Sequence, residues 1–266
     1  MSSDRYSRQS FLGDHAEEQI ARCTVGIPGL GGGGSHIVQQ LAHIGFKRFV
    51  LYDDDVTEDS NLNRLVGATT VDARAATPKL HLAKTMIYRL QPDAQVLGIS
   101  DKWQNRPEPL RDCQIVFGCV DSYKGRHELE VACRRYLIQY LDVGMDVYGK
   151  EQHVIGGQII LSSPGGPCMW CMKFLTEERL AKETARYGNA GPRPQVIWSN
   201  GVLASTAVGL AVDLVTNWTR TQPSHAYLVY DGNDATVKLS LTLQGLGVSC
   251  SHYPLSEAGD PIMVEL

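Results

Sequence analysis

Short apolar runs alternate with longer segments of helical spacing through the first half of the chain. Cys23–Ile27 is apolar and ends in glycines, which predicts a buried strand running into a tight loop. Ser35–Ile44 places Ile37, Val38, Leu41 and Ile44 at helical spacing, and Gly45 ends the helix. Phe49–Tyr52 predicts a second buried strand, stopping at three successive aspartates. Leu80, Lys84, Ile87 and Leu90 support another helix, closed by Pro92. Val96–Ile99, Ile115–Val120 and Tyr140–Val143 predict further strands, with a helix over Arg126–Leu137 between the last two. Apolar strands in this order need helices on both faces. The expected fold is α/β, with a mostly parallel sheet.

The pattern changes after residue 150. Val154–Leu161 predicts a strand leading into the turn cluster Ser162–Cys168, and Thr176–Arg186 a polar, charged helix. Tyr187–Pro194, with two glycines and two prolines, reads as a crossover. Leu203–Trp218 predicts a long apolar helix against the sheet or a partner subunit. Ala226–Tyr230 and Thr236–Leu243, separated by Asp231–Asp234, predict a hairpin.

With 266 residues, 43% of them hydrophobic, the chain can bury a substantial core. Twenty-five Lys and Arg against 29 Asp and Glu give a net charge of -4, which gives nucleic-acid binding no support. The first residues lack the apolar core of a signal peptide. The longest apolar stretch, Gly201–Val215, is interrupted by Ser205, Thr206 and Asp213 and is short for a bilayer. The expectation is a soluble, cytoplasmic chain that engages no membrane. Seven cysteines, an odd number in a chain this long, argue against a disulfide framework.

Candidate chemistry begins at Gly29-Leu-Gly31-Gly32-Gly33-Gly34-Ser35, between a strand and a helix. Glycines let backbone approach a phosphate, and the helix start offers unpaired N–H groups to its charge. No GxxxxGK[ST] is present, so a P-loop is excluded. Asp53, at the end of the second strand, is placed to take ribose hydroxyls, which fits NAD as well as ATP. Asp54 and Asp55 exceed what a ribose needs and point to a nearby positive charge or a bound cation; for Asp54 a solvated strand end is the alternative. Asn61, Arg64 and Lys79 suit a triphosphate more than a pyrophosphate bridge. Asp121, at another strand's carboxyl end, is a natural Mg²⁺ ligand. Arg126 calls for either a salt bridge to Asp121 or a substrate contact.

Arg5-Tyr-Ser-Arg8-Gln9, the Gly29–Ser35 loop, Asp53-x-Asp55, Ser60-Asn-Leu-Asn-Arg64, Lys79 and Cys119-Val-Asp121-Ser together resemble the ThiF/MoeB/E1 superfamily. Asp142-Val-Gly144, Cys168-Met-Trp-Cys171 and Tyr230-Asp-Gly232 extend the match over most of the chain. The resemblance implies a Rossmann-like ATP-dependent adenylyltransferase that activates the C-terminal glycine carboxylate of a small ubiquitin-like or sulfur-carrier protein. It implies one domain over 1–266, with a nucleotide-binding half (1–150) and a carrier-binding half (151–266) of crossover, long helix and C-terminal hairpin. Gly29, Gly31, Gly32, Gly34 and Ser35 would hold the nucleotide, Asp53 the ribose, and Asp55 would belong to the same site. Asn61, Arg64 and Lys79 would contact phosphates, and Asp121 would hold Mg²⁺. Arg8 would reach the ATP of the partner subunit in a homodimer. Leu65 and Ser122 depart from the polar residues that commonly stand at those places.

The family often pairs its CxxC with a second one near the C-terminus; here the equivalent stretch is Cys250-Ser-His252-Tyr253. Cys168, Cys171, Cys250 and His252 could therefore form a Cys₃His zinc site. A metal-free clasp and redox chemistry are the alternatives, and the spacing of Cys250 and His252 is tight for one metal. Cys23, Cys113, Cys119 and Cys133 read as core thiols. His36 and His43 share a helix face and read as packing or surface groups; His127 has no partner pattern. Trp170 is expected to cover a small packed cluster, and Asp213 to be exposed.

Adenylation needs no protein nucleophile or general base, because the attacking carboxylate is already ionised at pH 7. Many relatives then form a thioester through a crossover cysteine, but Met172–Trp218 contains none. Ser199 would need a dedicated base. Handover to an external E2-like or sulfur-donor acceptor is the expectation. An NAD(P)-dependent oxidoreductase and a non-catalytic scaffold are the other readings; Arg64 and Lys79 argue against the first, and the retained Arg8, Lys79 and Asp121 against the second.

Overall fold

Two helical segments precede the first strand, a 3-10 stretch at Asp4–Leu12 and α1 (Ala16–Arg22). The sequence pattern announced neither. A computed structural model describes residues 4–149, 151–186, 194–221, 223–247 and 250–253. After β1 (Thr24–Pro28) come α2 (Gly32–Ile44), β2 (Arg48–Tyr52), α3 (Thr70–Arg74), α4 (Lys79–Leu90), β3 (Gln95–Ile99) and β4 (Ile115–Gly118). Then follow α5 (Tyr123–Arg135), β5 (Gln139–Tyr148), β6 (Val154–Ser162), α6 (Glu177–Arg186), α7 (Ile197–Thr216), β7 (His225–Asp231) and β8 (Thr236–Leu239).

The eight strands of the described residues join one sheet in the order β3-β2-β1-β4-β5-β6-β7-β8. The first five are parallel, as expected; β5 to β8 are antiparallel, with short turns returning β5 into β6 and β7 into β8, while α6 and α7 lie between β6 and β7. The chain winds outward from β1 to β2 and β3, then crosses to β4 on the other side. The carboxyl ends of β1 and β4 therefore flank a crevice, which is where open α/β sheets take their ligands.

On one face α2 packs against α7, with Ile37, Val38 and Leu41 in the same core as Leu203, Ala204, Ala207 and Ala211. The alanines allow close helix approach. On the other face α5 and the segment Met169–Leu175 cover Tyr140 and Ile160. Helix α7 starts earlier than its apolar spacing suggested and ends at Asn217, which is left-handed (φ 53°) and donates its N–H to Asp213 O. By length and composition it could cross a membrane, but it packs on α1, α2, β5 and β6. Asp213, expected at the surface, is buried: its carboxylate accepts from the N–H and hydroxyl of Thr219 at 3.0 and 2.7 Å and so closes the turn after the helix. Residues 187–193 of the expected crossover and 254–266 of the C-terminal half lie outside the described residues.

Candidate functional site

Gly29 turns the chain out of β1 with φ +91°, and a Cβ there would lie 2.5 Å from the carbonyl oxygen of Cys119. Gly34, in the first turn of α2, packs directly on the Gly29 carbonyl. These two contacts bring the start of α2 against the ends of β1 and β4. The start of the helix then faces a cleft of about 350 Å³.

Asp53 stands at the end of β2 with Oδ2 accepting from Leu30 N at 2.7 Å and Oδ1 from Asp55 N at 3.0 Å. Burial raises its pKa above the usual carboxylate range, against the pull of Leu30 N–H and Lys79. Lys79, the first residue of α4, pairs with Asp55 at 2.6 Å. This is the positive charge that the run of aspartates implied; Asp54 is exposed at the cleft wall.

Arg64 donates to Ser60 O at 2.7 Å and to Asn63 Oδ1 at 2.9 Å. The Asn63 amide reaches across the fold to donate to Gln195 O at 2.9 Å. Asn61 is buried, and its Oδ1 accepts from Glu58 N at 3.1 Å; it shapes the turn that carries Arg64. Ser35 donates to Gly32 O and accepts from Val66 N, which ties that same loop to α2.

Of the residues singled out on sequence, Gly29, Gly31, Gly32, Asp53, Asp55, Arg64, Lys79 and Asp121 line the one cleft. Gly34, Ser35 and Asn61 are not on its surface and act from behind it. Arg8 is absent from it. Its neighbour Gln9 donates to Ile44 O and Arg5 to Leu90 O, at the C-terminal ends of α2 and α4. The cleft is at their N-terminal ends, a helix length of about 18 Å away.

Several wall residues carry no sequence signal. Lys102, Trp103 and Gln104 follow β3, Gln195 arrives from just before α7, and Asn200 from its first turn. The rule that ligands gather at strand carboxyl ends could have found the first group; nothing in the spacing announces the second. Cys119 is another difference, a half-buried thiol at the cleft with its pKa pushed up to about 12 by burial.

Arg126 lines the cleft floor, and its main partner is Asp142 rather than Asp121: Nη1 donates to the two carboxylate oxygens at 2.5 and 2.6 Å. Asp142 is fully buried and also accepts from Tyr140 OH and Gln158 Nε2. Asp121 adds a further attraction to the guanidinium. Ser122 caps α5, its Oγ accepting from Gly125 N at 2.9 Å. Ser199 is fully buried, its Oγ has no partner among the described residues, and it does not line the cleft.

A second cluster lies on the α5 face. One ligand atom each from Cys168, Cys171, Cys250 and His252 falls within 4.8 Å of the others. Cys168 Sγ is 3.6 Å from Cys171 Sγ, Cys171 Sγ is 3.7 Å from Cys250 Sγ, and His252 Nδ1 is 3.3 Å from Cys171 Sγ. Tetrahedral zinc with ~2.3 Å bonds to sulfur sets sulfurs about 3.8 Å apart, so the donor set fits that ion. The tight spacing of Cys250 and His252 is no obstacle. Trp170 stacks on His252 and donates to His127, which Tyr253 also meets, so His127 does have partners.

A family model described as the ThiF family matches residues 4–245. The SAMP-activating enzyme E1 of Haloferax volcanii is 30% identical over 175 residues, covering 64% of this chain and 61% of that protein. The sulfur carrier protein ThiS adenylyltransferase of Escherichia coli is 34% identical over 136 residues, covering 48% and 53%. The chain thus spans between half and two thirds of the length of these relatives. Among solved structures, E. coli MccB with ATP superposes with a TM-score of 0.71 at 19% identity, over 93% of this chain and 73% of that one, a likeness of fold. The glycine loop, the aspartate at the end of β2 and the arginine, lysine and aspartate around one cleft all fall inside the matched span, and the chain belongs to the ThiF family.

Proposed function

We propose that the chain is an ATP-dependent adenylyltransferase acting on the C-terminal carboxylate of a small ubiquitin-like or sulfur-carrier protein in the cytoplasm. The observation that carries this is the convergence of Arg64, Lys79 and Asp121 with the start of α2 on the cleft that Asp53 closes. A carboxylate oxygen bonds to the α-phosphorus of ATP as the bond to the β-phosphate oxygen breaks, and pyrophosphate leaves with that electron pair. Negative charge gathers on the α-phosphate and the leaving group. Arg64, Lys79 and the N–H groups of the glycine loop oppose it from fixed positions. Asp53 orients the ribose. Asp121 would hold Mg²⁺, which supplies further charge neutralisation when bound.

Arg8 lies too far from its own cleft to serve it, which supports a homodimer in which each subunit supplies this arginine to its neighbour. The compact Cys₃His cluster supports one structural zinc, and the burial of Ser199 supports handover to an external acceptor. The test is exchange of labelled pyrophosphate into ATP, which should require Mg²⁺ and the carrier. Asp121→Ala should remove the exchange while leaving the fold intact. Undiminished exchange in that variant would overturn the role given to Asp121; no exchange in wild type with any carrier bearing a terminal glycine would overturn the reading.

A further inference from the structure

The first turn of α7 is built into the wall of the cleft. Asn63 Nδ2 bonds to Gln195 O and fixes the chain just before the helix. One turn on, Asn200 is 6% exposed, and its Nδ2 donates to Val196 O at 3.1 Å. That bond uses one of the two amide hydrogens. The same nitrogen lies 2.6 Å from where a Cβ on Gly32 would stand, and Oδ1 lies 3.8 Å from the corresponding point on Gly33. The carboxamide therefore rests against the first residues of α2, where backbone N–H groups collect with the positive end of the helix dipole. It is also part of the cleft surface. A buried amide with a spare N–H, held rigidly beside an anion-binding helix start, has one obvious use.

We infer that Asn200 is a nucleotide-binding residue whose second amide N–H donates to the polyphosphate chain held at the start of α2. This rests on the nucleotide reading of the cleft. The α7 turn would thus add, from the second half of the chain, a ligand to a site whose charged members Asp53, Arg64, Lys79 and Asp121 come from the first half. Gly32 is then required for a reason of its own: any side chain there would displace the Asn200 amide.

The experiment is calorimetric titration of the full-length chain with Mg·ATP, AMP and adenosine. Asn200→Asp replaces the donor with a negative charge and should weaken ATP binding by at least tenfold, with a smaller loss for AMP and adenosine within about twofold of wild type. A merely structural role would lower all three alike. That result, or unchanged ATP affinity, overturns the assignment. A double-mutant cycle guards against poor folding of the Asn200→Asp chain. Gly32→Ala should weaken ATP binding in wild type and have little further effect in an Asn200→Ala background; additive losses would overturn the assignment. Wild-type protein that binds no adenine nucleotide would overturn the nucleotide reading itself, whereas wild-type binding with insensitive Asn200 variants overturns only this inference.

Discussion

Arg126 reaches from α5 to Asp142 on β5 and gives both carboxylate oxygens the same Nη1, in a place where the acid has no access to water. Tyr140 and Gln158 supply the remaining donors, so the acid is fully satisfied only while its strand neighbours and the arginine stay in place. The pair joins the cleft floor to the seam where the sheet changes from parallel to antiparallel.

Removing one partner of such a pair strands the other charge in the interior. Asp142→Ala should cost about 3–5 kcal/mol in urea unfolding, and replacing both residues with apolar ones should cost less than the sum of the two single changes. Additive losses would show that the two residues do not act as a pair.

Elemental analysis of protein purified without chelators should find about one zinc per chain. Cys250→Ser should lose most of it and lower the melting temperature, because the metal binds only the folded arrangement. A metal-free protein with unchanged melting would return the cluster to a simple clasp.

Arg8→Ala and Asp121→Ala chains should each be inactive alone. Mixed under subunit exchange, they should regain activity through dimers in which one cleft has both an intact Asp121 and its neighbour's intact Arg8. No recovery in verified mixed dimers would overturn the assignment of Arg8 to its neighbour's cleft.

His36 packs against Gly201 on α7, and burial lowers its pKa below 6.5, with Nε2 lacking a partner among the described residues. A base with a depressed folded pKa binds its proton more readily when unfolded, so stability is full above about pH 6.5 and falls as pH drops below it. Melting curves from pH 7.5 to pH 5 should decline less steeply for His36→Gln than for wild type. Parallel slopes would sink this.

Incubation with ATP and carrier should yield carrier adenylate and no enzyme–carrier adduct in intact-mass spectra. A thiol-sensitive adduct on any of the seven cysteines would contradict it. A hydroxylamine-sensitive adduct lost in Ser199→Ala would mean that this buried hydroxyl emerges during turnover.

The sequence was most legible where chemistry and chain order coincide. The strands and the loop glycines announce themselves by apolar runs and by a break in side chains; Asp53, Lys79 and Asp121 follow at strand ends or helix starts, and Arg64 in the loop after β2. Residues joined only through space were harder to find. Asp142 as the partner of Arg126 depends on a strand pairing, and Asn200 reaches the cleft only through the packing of α7 on α2. Asp213 looked exposed because its acceptors are satisfied by Thr219, beyond the helix end. The 3-10 stretch at Asp4–Leu12 has too irregular a pattern for any periodicity to mark it.

The glycine loop has an unequal capacity to vary. At Gly29 and Gly34 a methyl group would strike backbone carbonyls, which no compensating substitution can move. At Gly32 it would meet only side-chain amides, striking that of Asn200 at 2.6 Å and crowding the Gln195 oxygen at 3.3 Å. The first two positions are fixed by the fold itself, whereas the third is conditional on what stands at residue 200. A drifting lineage could exchange Gly32 for alanine only after Asn200 had shortened, and regaining the asparagine would then require restoring the glycine first. Two residues in opposite halves of the chain are in this way bound to a single order of mutational steps.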